Sequence, residues 1–430
     1  MLDRTKPSLL FMCAALLIVL SRWGLASKPL DAANEIVDRP DARVAIDFWQ
    51  KRIATNPSAY MEYTLLAEAY TRQARETGDV NQYQRAETAL RQALEINPSY
   101  IKASANLAGV LLALHDFEGA MTIAEPLINH PQAVQALATM GDAYMAFGDY
   151  EAAETIYHQL AERDGGAAAL SRLALLEQVY GRLDMATRRM EQAIEASRQG
   201  AGYPEEIAWY EFQLGELYFQ QGQISAAAQQ YQTALQIFPD YYLALAGLGK
   251  VTAAQGDYAM AIDHYLAATA TVPHPDFLAI LGDLYFLNGE PEKATQQYDT
   301  VRYIGQLNAL NEQVYDRQLA SFYANHGLDL TKAQLLAQKS LETRQDYQGY
   351  DTAAWIYYKQ GLFNEAQQMI EQALQFGTQD ASLYYHAGLI AKAQGNADEA
   401  KDFLTKALTL NPYFDPLQAP IAQATLESLQ

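Results

Sequence analysis

Seven glycines at near-regular intervals each stand five residues before an Ala: Gly148 and Ala153, Gly181 and Ala186, Gly222 and Ala227, Gly256 and Ala261, Gly289 and Ala294, Gly361 and Ala366, Gly395 and Ala400. Successive glycines are 33, 41, 34, 33, 72 and 34 residues apart, and the 72 leaves room for one degenerate copy. A period near 34 marks a helical repeat array, whose units cannot bury their apolar faces alone and must stack on one another. A length of 430 residues would otherwise suggest about three domains. The repeat replaces that count with one quasi-one-dimensional body.

The unit from Ile207 to Pro239 is the clearest. Leu214-Gly215 is followed by Tyr218, Gly222, Ala227, Tyr231, Ala234 and Pro239. Steps of three and four residues put the apolar side chains on one helical face. Gly215 and Ala227 carry almost no side chain, so paired helices can approach closely there, with Tyr218 and Tyr231 filling the space around them. Gly222 ends the first helix in a left-handed conformation that is cheap for Gly, and Pro239 stops the second.

This pattern resembles the tetratricopeptide repeat family, from about Ala45 to Pro412. Leu245, Leu248-Gly249, Gly256, Ala261, Tyr265, Ala268 and Pro273 repeat it; so do Leu281-Gly282, Tyr285, Gly289, Ala294 and Tyr298. Met140-Gly141, Tyr144, Gly148, Ala153 and Tyr157 match earlier, and Tyr384, Ala387-Gly388, Gly395, Ala400, Leu404, Ala407 and Pro412 match later. The resemblance implies an all-α, right-handed superhelical solenoid of about ten antiparallel helix pairs spanning residues 43–412. A lone half repeat around Ala45, Trp49 and Pro57 precedes the pairs. A capping helix within 413–430 covers the last apolar face.

Some units depart from the pattern. The first, from Tyr63 to Pro98, carries about seven extra residues between its helices, within a longer loop expected near 71–85. The second has His115 where the turn Gly belongs, and the unit around Leu173-Ala174 has Glu177 where a large apolar residue is expected. A degenerate unit spans Leu319-Ala320, Tyr323, Ala333 and Ala337. Further long loops are expected near 197–206 and 302–316, the stretch from Arg302 to Asp316 lengthening either the first helix of the degenerate unit or its linker.

The N-terminus has a different character. Arg4 and Lys6 precede an unbroken apolar run from Leu9 to Leu20, followed by Ser21, Arg22 and Gly24-Leu25-Ala26-Ser27. That order describes a secretory signal over residues 1–27. The run is short for a spanning helix, which needs about 20 residues. With Arg22 reaching the interface, an uncleaved membrane anchor is the alternative. Either way the cationic end favours a cytoplasmic N-terminus and an exported body, joined by a polar tether over 28–42. The only cysteine, Cys13, lies in the apolar run. The body therefore has no disulfide or Cys-based metal site, which suits an oxidising compartment.

The formal charge is −21. The first 26 residues hold Arg4, Lys6 and Arg22 against Asp3, so the remainder carries −23. Such a field disfavours nucleic acid and anionic lipid and favours basic partners, although acid on outer helix faces also serves solubility. The seven His residues are scattered, with no metal-ligand pair at helical spacing, no phosphate-cradling Gly-rich loop and no nucleophile elbow. No cofactor, metal or catalytic group is expected.

By resemblance, first helices line a concave groove. Its expected residues are Glu68, Lys102, Asn106 and Asp142; then Trp209, Phe212, Glu216 and Phe219; then Lys250, Asp283 and Phe286; and finally Trp355, Tyr358, Tyr385 and His386. Trp209, Phe212 and Phe219 either anchor a partner or pack against the next unit. Lys102 and Asn106 match part of the carboxylate clamp of the chaperone-binding members, but Thr64, Glu68, Gln135 and Thr139 do not complete it. The resemblance thus implies a non-enzymatic scaffold in a bacterial cell envelope, periplasmic or held at the inner membrane, binding basic or amphipathic protein segments. An assembly chaperone for membrane complexes is the alternative, and an enzyme with an unrecognised site is a third reading.

Overall fold

The computed structural model describes residues 42–131, 133–200, 202–311 and 315–429. The expected signal or anchor and its tether lie outside them. Among the described residues there are 22 α-helices and no strand, and no helix is long and apolar enough to cross a membrane. Helix α1 (Ala42–Thr55) stands alone. Ten antiparallel pairs follow: α2 (Tyr60–Thr77) with α3 (Asn81–Ile96), α4 (Ile101–Ala113) with α5 (Phe117–Ala124), α6 (Val134–Phe147) with α7 (Tyr150–Arg163), α8 (Ala167–Val179) with α9 (Leu183–Gln199), and α10 (Pro204–Gln220) with α11 (Ile224–Ile237). The second five are α12 (Tyr242–Ala254) with α13 (Tyr258–Thr271), α14 (Pro275–Leu287) with α15 (Pro291–Asn311), α16 (Asp316–Asn325) with α17 (Leu330–Thr343), α18 (Tyr347–Lys359) with α19 (Phe363–Leu374), and α20 (Ala381–Ala393) with α21 (Ala397–Leu410). Helix α22 (Gln418–Ser428) ends the array.

Within a pair, one contact sets the spacing. A Cβ at Gly141 would lie 2.2 Å from a ring carbon of Tyr157; at Gly215, 2.5 Å from Tyr231; at Gly282, 2.3 Å from Tyr298. Only a bare backbone leaves room for the ring, and close packing leaves no slack elsewhere. The Tyr157 and Tyr231 rings are almost completely buried.

Each turn inside a pair holds a residue with positive φ. It is Gly in nine cases, from Gly78 to Gly395, and His115 in the second pair, with φ 63°. Gly327, φ 58°, is the copy hidden in the 72-residue gap; its Ala333 follows six residues later rather than five, so it escapes the spacing rule.

The array also touches itself at long range with a fixed offset. The turn of pair three meets the exit of pair eight: Gln345 N–H donates to the Ala146 carbonyl at 2.9 Å, and Tyr347 N–H to Tyr150 Oη at 3.0 Å. The turn of pair four meets the exit of pair nine, where Thr378 Oγ1 donates to Val179 O at 2.6 Å and Gln379 Nε2 to Gly181 O at 2.7 Å. The turn of pair five meets the exit of pair ten, where Asn411 Nδ2 donates to Phe219 O at 2.8 Å. Gly78, in pair one, lies against Val272 at the exit of pair six. The offset is five pairs each time, so one superhelical turn rests directly on the next and the concave face becomes a channel.

His115 sits in the same seam. Burial, with the charges of Arg344 and Arg317, lowers its pKa to about 4, so it is neutral near pH 7. Glu177, the odd residue of the fourth pair, is buried and held by Arg182 and Arg189. That pairing explains why a carboxylate is tolerated in an apolar position.

The long loops expected from the sequence are shorter. Helix α2 runs through to Thr77, α9 to Gln199 and α15 to Asn311, so residues assigned to loops extend helices instead. Arg75 at the end of α2 pairs with buried Glu205 of α10 at 3.0 Å, tying this extension to pair five.

Two glycines separate the seam from the turn. Gly148 and Gly395 both have positive φ, but a Cβ at Gly148 would lie 2.2 Å from the Gln345 carbonyl oxygen, whereas nothing lies within 4 Å at Gly395. Both Gly→Ala variants bear the left-handed strain of about 1–2 kcal/mol. Gly148→Ala should cost about 1–3 kcal/mol more, by overpacking the seam. Urea unfolding of the two variants measures the difference; equal losses would mean that the seam carries no strain.

Candidate functional site

The inner face of the channel is built by the first helices of the pairs, and a repeated charge ladder runs along it. The residue after each close-packed Gly is acidic in three units, and the Tyr fifteen residues later donates its hydroxyl to it. Tyr157 bonds Asp142 at 2.8 Å, Tyr231 bonds Glu216 at 2.7 Å and Tyr298 bonds Asp283 at 2.7 Å. The first helix of the next unit supplies a base. Arg172 makes a bidentate pair with Asp142, both bonds 2.8 Å, and Lys250 reaches Glu216 at 2.6 Å.

His326 reaches Asp283 with Nε2 at 2.7 Å, while its Nδ1 faces the Phe322 carbonyl at 2.8 Å. Both nitrogens face acceptors, so the ring satisfies both only as imidazolium. Burial works against that charge, but the hydrogen bond and charge of Asp283 outweigh it and raise the His326 pKa. The same ladder continues at its ends: Lys102 and Asn106 both bond Glu68 Oε1, at 2.9 and 2.8 Å, and His386 Nδ1 bonds Asp351 at 2.8 Å.

Many expected groove residues are therefore occupied with one another. Glu68 joins Lys102 and Asn106; Glu216 joins Lys250; Asp142 and Asp283 hold partners that the sequence reading omitted, Arg172 and His326. Trp355, Tyr385 and His386 are buried in one stack: the Trp355 and His386 rings lie 4.3 Å apart at 19°, with half-buried Tyr358 on the other side at 5.1 Å. Trp209 is half-buried and packs on the clusters of both neighbouring pairs, and Phe212 lies 5.9 Å from Tyr231. Phe219 is half-buried beside Lys250, whose Nζ stands 5.8 Å from the ring centre. Phe286 alone among these aromatics is widely open, at 59% exposure.

Sequence reasoning missed one contributor altogether. The chain after α21 turns into the channel. Phe414 packs against Tyr385 with ring centres 5.6 Å apart, Gln418 Nε2 reaches Asn325 at 3.1 Å, and Asp415 Oδ1 caps α22 by accepting from Leu417 and Gln418 N–H at 2.8 and 2.7 Å. The end of the array therefore covers its last apolar face and also lines its own channel.

Comparison with known families fits this geometry. Models described as tetratricopeptide repeat match residues 79–133, 136–168, 253–308, 347–376 and 381–414, and one described as TPR repeat matches 215–256. Together they cover more than half of the chain. This is a tetratricopeptide repeat protein. Among solved structures it is similar to yeast Tom70, with 13% identity over 95% of this chain and 96% of that one and a TM-score of 0.36. It is similar to the APC/C hetero-tetramer Cut9-Hcn1, with 14% identity over 98% and 99% and a TM-score of 0.33. A tetratricopeptide repeat protein from Parabacteroides merdae matches at 19% identity over 61% of this chain and 98% of that one, with a TM-score of 0.35. No curated protein matches the chain.

Tetratricopeptide arrays are typically protein-interaction scaffolds, and nothing among the described residues points to catalysis. Among the described residues, no group of three His, Cys, Asp or Glu side chains could hold a metal ion. The ladder was legible in principle: adding one repeat length to Glu68 or Glu216 lands on Lys102 or Lys250. Asp142 and Asp283 break the rule, because their bases come 30 and 43 residues later, where units shorten or lengthen.

The His326–Asp283 pair sets a pH dependence. Its folded-state pKa is raised above the ordinary 6.5, so the stability it gives is fully present below about 6.5 and is lost as pH rises through the folded value. Wild type should therefore lose stability relative to Asp283→Asn on going from mildly acidic to alkaline buffer. Parallel pH profiles of urea midpoints for the two proteins would contradict a charged His326.

Proposed function

We propose that this protein is a non-enzymatic scaffold that holds a basic, amphipathic segment of a partner protein against the inner face of its channel. The carrying observation is the contrast on that face. The charges of its ladder are already paired, whereas Phe286 is open to solvent and the chain as a whole carries −21. A partner thus gains affinity by burying apolar side chains on aromatic anchors, and its basic flanks are drawn in by the surrounding field. The clamp reading gains no support here, since Lys102 and Asn106 both serve Glu68.

The setting we propose is the bacterial cell envelope, with the array exported and either released or held at the inner membrane. Arg4, Lys6 and the run from Leu9 to Leu20 support it.

Crosslinking capture with the intact chain in its native cells tests both parts. The expected result is one stable complex in the envelope fraction, reduced at least fivefold (about 1 kcal/mol) by Phe286→Ser with no fall in melting temperature. Many short-lived clients would favour an assembly chaperone. Recovery of the protein from cytosol would remove the envelope setting.

A further inference from the structure

Pair six keeps the close-packed Gly and the Tyr but departs from the ladder. In pair six the residue after Gly249 is Lys250, not an acid, and Lys250 turns back to Glu216. The Tyr fifteen residues on, Tyr265, is fully buried, and its hydroxyl has no hydrogen-bond partner. Its siblings Tyr231 and Tyr298 each donate to a carboxylate at this place. A buried hydroxyl without a partner is costly.

That hydroxyl belongs to a residue lining a cavity of about 420 Å³ inside the channel. The cavity exists because the chain end closes it: α10, α12 and α13 form one side, the starts of α18 and α20 another, and Tyr413–Asp415 the third. Among the described residues on its wall, Lys250 is the one cation, against Glu216, Asp380 and Asp415. Lys250 is neutralised by Glu216. Asp380 and Asp415 each cap a helix through Oδ1 and leave Oδ2 outside those bonds. Burial raises the pKa of both, against an opposing pull from His386. Rings of Phe219, Tyr347 and Phe414 supply apolar and π-face wall.

We propose that this cavity is a binding site for an ammonium or guanidinium group on an apolar stem, held by Asp380 and Asp415, with the Tyr265 hydroxyl accepting one of its N–H bonds. The site deepens the reading of the channel as a binding face for basic segments, and supplies the pocket into which one basic side chain of a partner inserts. The alkyl stem lies along the rings, where cation–π attraction adds to the carboxylate contacts. The same chemistry is carried by a lysine or arginine side chain and by a free amine.

Isothermal titration calorimetry on the intact chain tests it without any protein partner, so its outcome is separate from that of the capture experiment. The probes are cadaverine against pentanol, and a short capped alanine peptide with one lysine against the same peptide with norleucine. At least one charged probe should bind about tenfold or more tightly than its neutral counterpart; cadaverine alone marks a free-amine site, the lysine peptide a side-chain site. Asp415→Asn keeps a capping side chain at α22 and should weaken binding about tenfold. Tyr265→Phe removes only the unpartnered hydroxyl, so it should weaken binding severalfold without lowering the melting temperature. Charged probes that bind no better than neutral ones overturn the proposal, as does unchanged affinity in both variants.

Discussion

The contact between a bare Gly backbone and a Tyr ring governs this molecule. It fixes how closely the two helices of a unit approach, because a single Cβ would occupy the ring's place at Gly141, Gly215 or Gly282. It also fixes where the Tyr hydroxyl emerges, on the inner face beside the following residue. In three units that residue is an acid, and the next unit answers with Arg172, Lys250 or His326. Packing and electrostatics are thus two ends of one side chain. A repeated small rotation between such units sums to the superhelix. Here it sums to closure, with the turns of pairs one, three, four and five lying on the exits of pairs six, eight, nine and ten.

Closure changes what the inner face is. In an open array, first helices present their residues to solvent on one side. In this one, backbone groups at Ala146, Val179, Gly181 and Phe219 accept hydrogen bonds from chain nearly 200 residues away. The chain end then enters the space enclosed. The binding residues we propose are therefore those the ladder leaves over, such as exposed Phe286 and the unpartnered Tyr265, rather than the charges that catch the eye in the sequence.

The local design was legible because it depends on short-range chemistry. Turn glycines such as Gly222 need positive φ, and Gly282 needs the absence of a side chain; both leave a fixed mark every repeat. The expectation for helix pairing followed from that. The loops near 71–85 and 302–316 were overestimated because helical periodicity continues through residues whose spacing departs from the repeat. Glu177 read as a fault in the pattern because its arginines lie five and twelve residues away, outside any helical pairing rule. The seam was not legible at all. Thr378 and Gln379 bear no signal of meeting Val179 and Gly181, since curvature is a sum of small angles and no single residue encodes it.

The closed superhelix is the claim on which the channel, the cavity and the reading of function rest. Amide hydrogen exchange at Gln345 and Tyr347 tests it most directly. Both N–H groups lie at the exit of pair eight and find their acceptors in pair three, at Ala146 O and Tyr150 Oη. The closed form predicts protection at both amides well above that of exposed turn amides. Exchange at the rate of an unprotected loop, with the flanking helices still protected, would mean that the array is open.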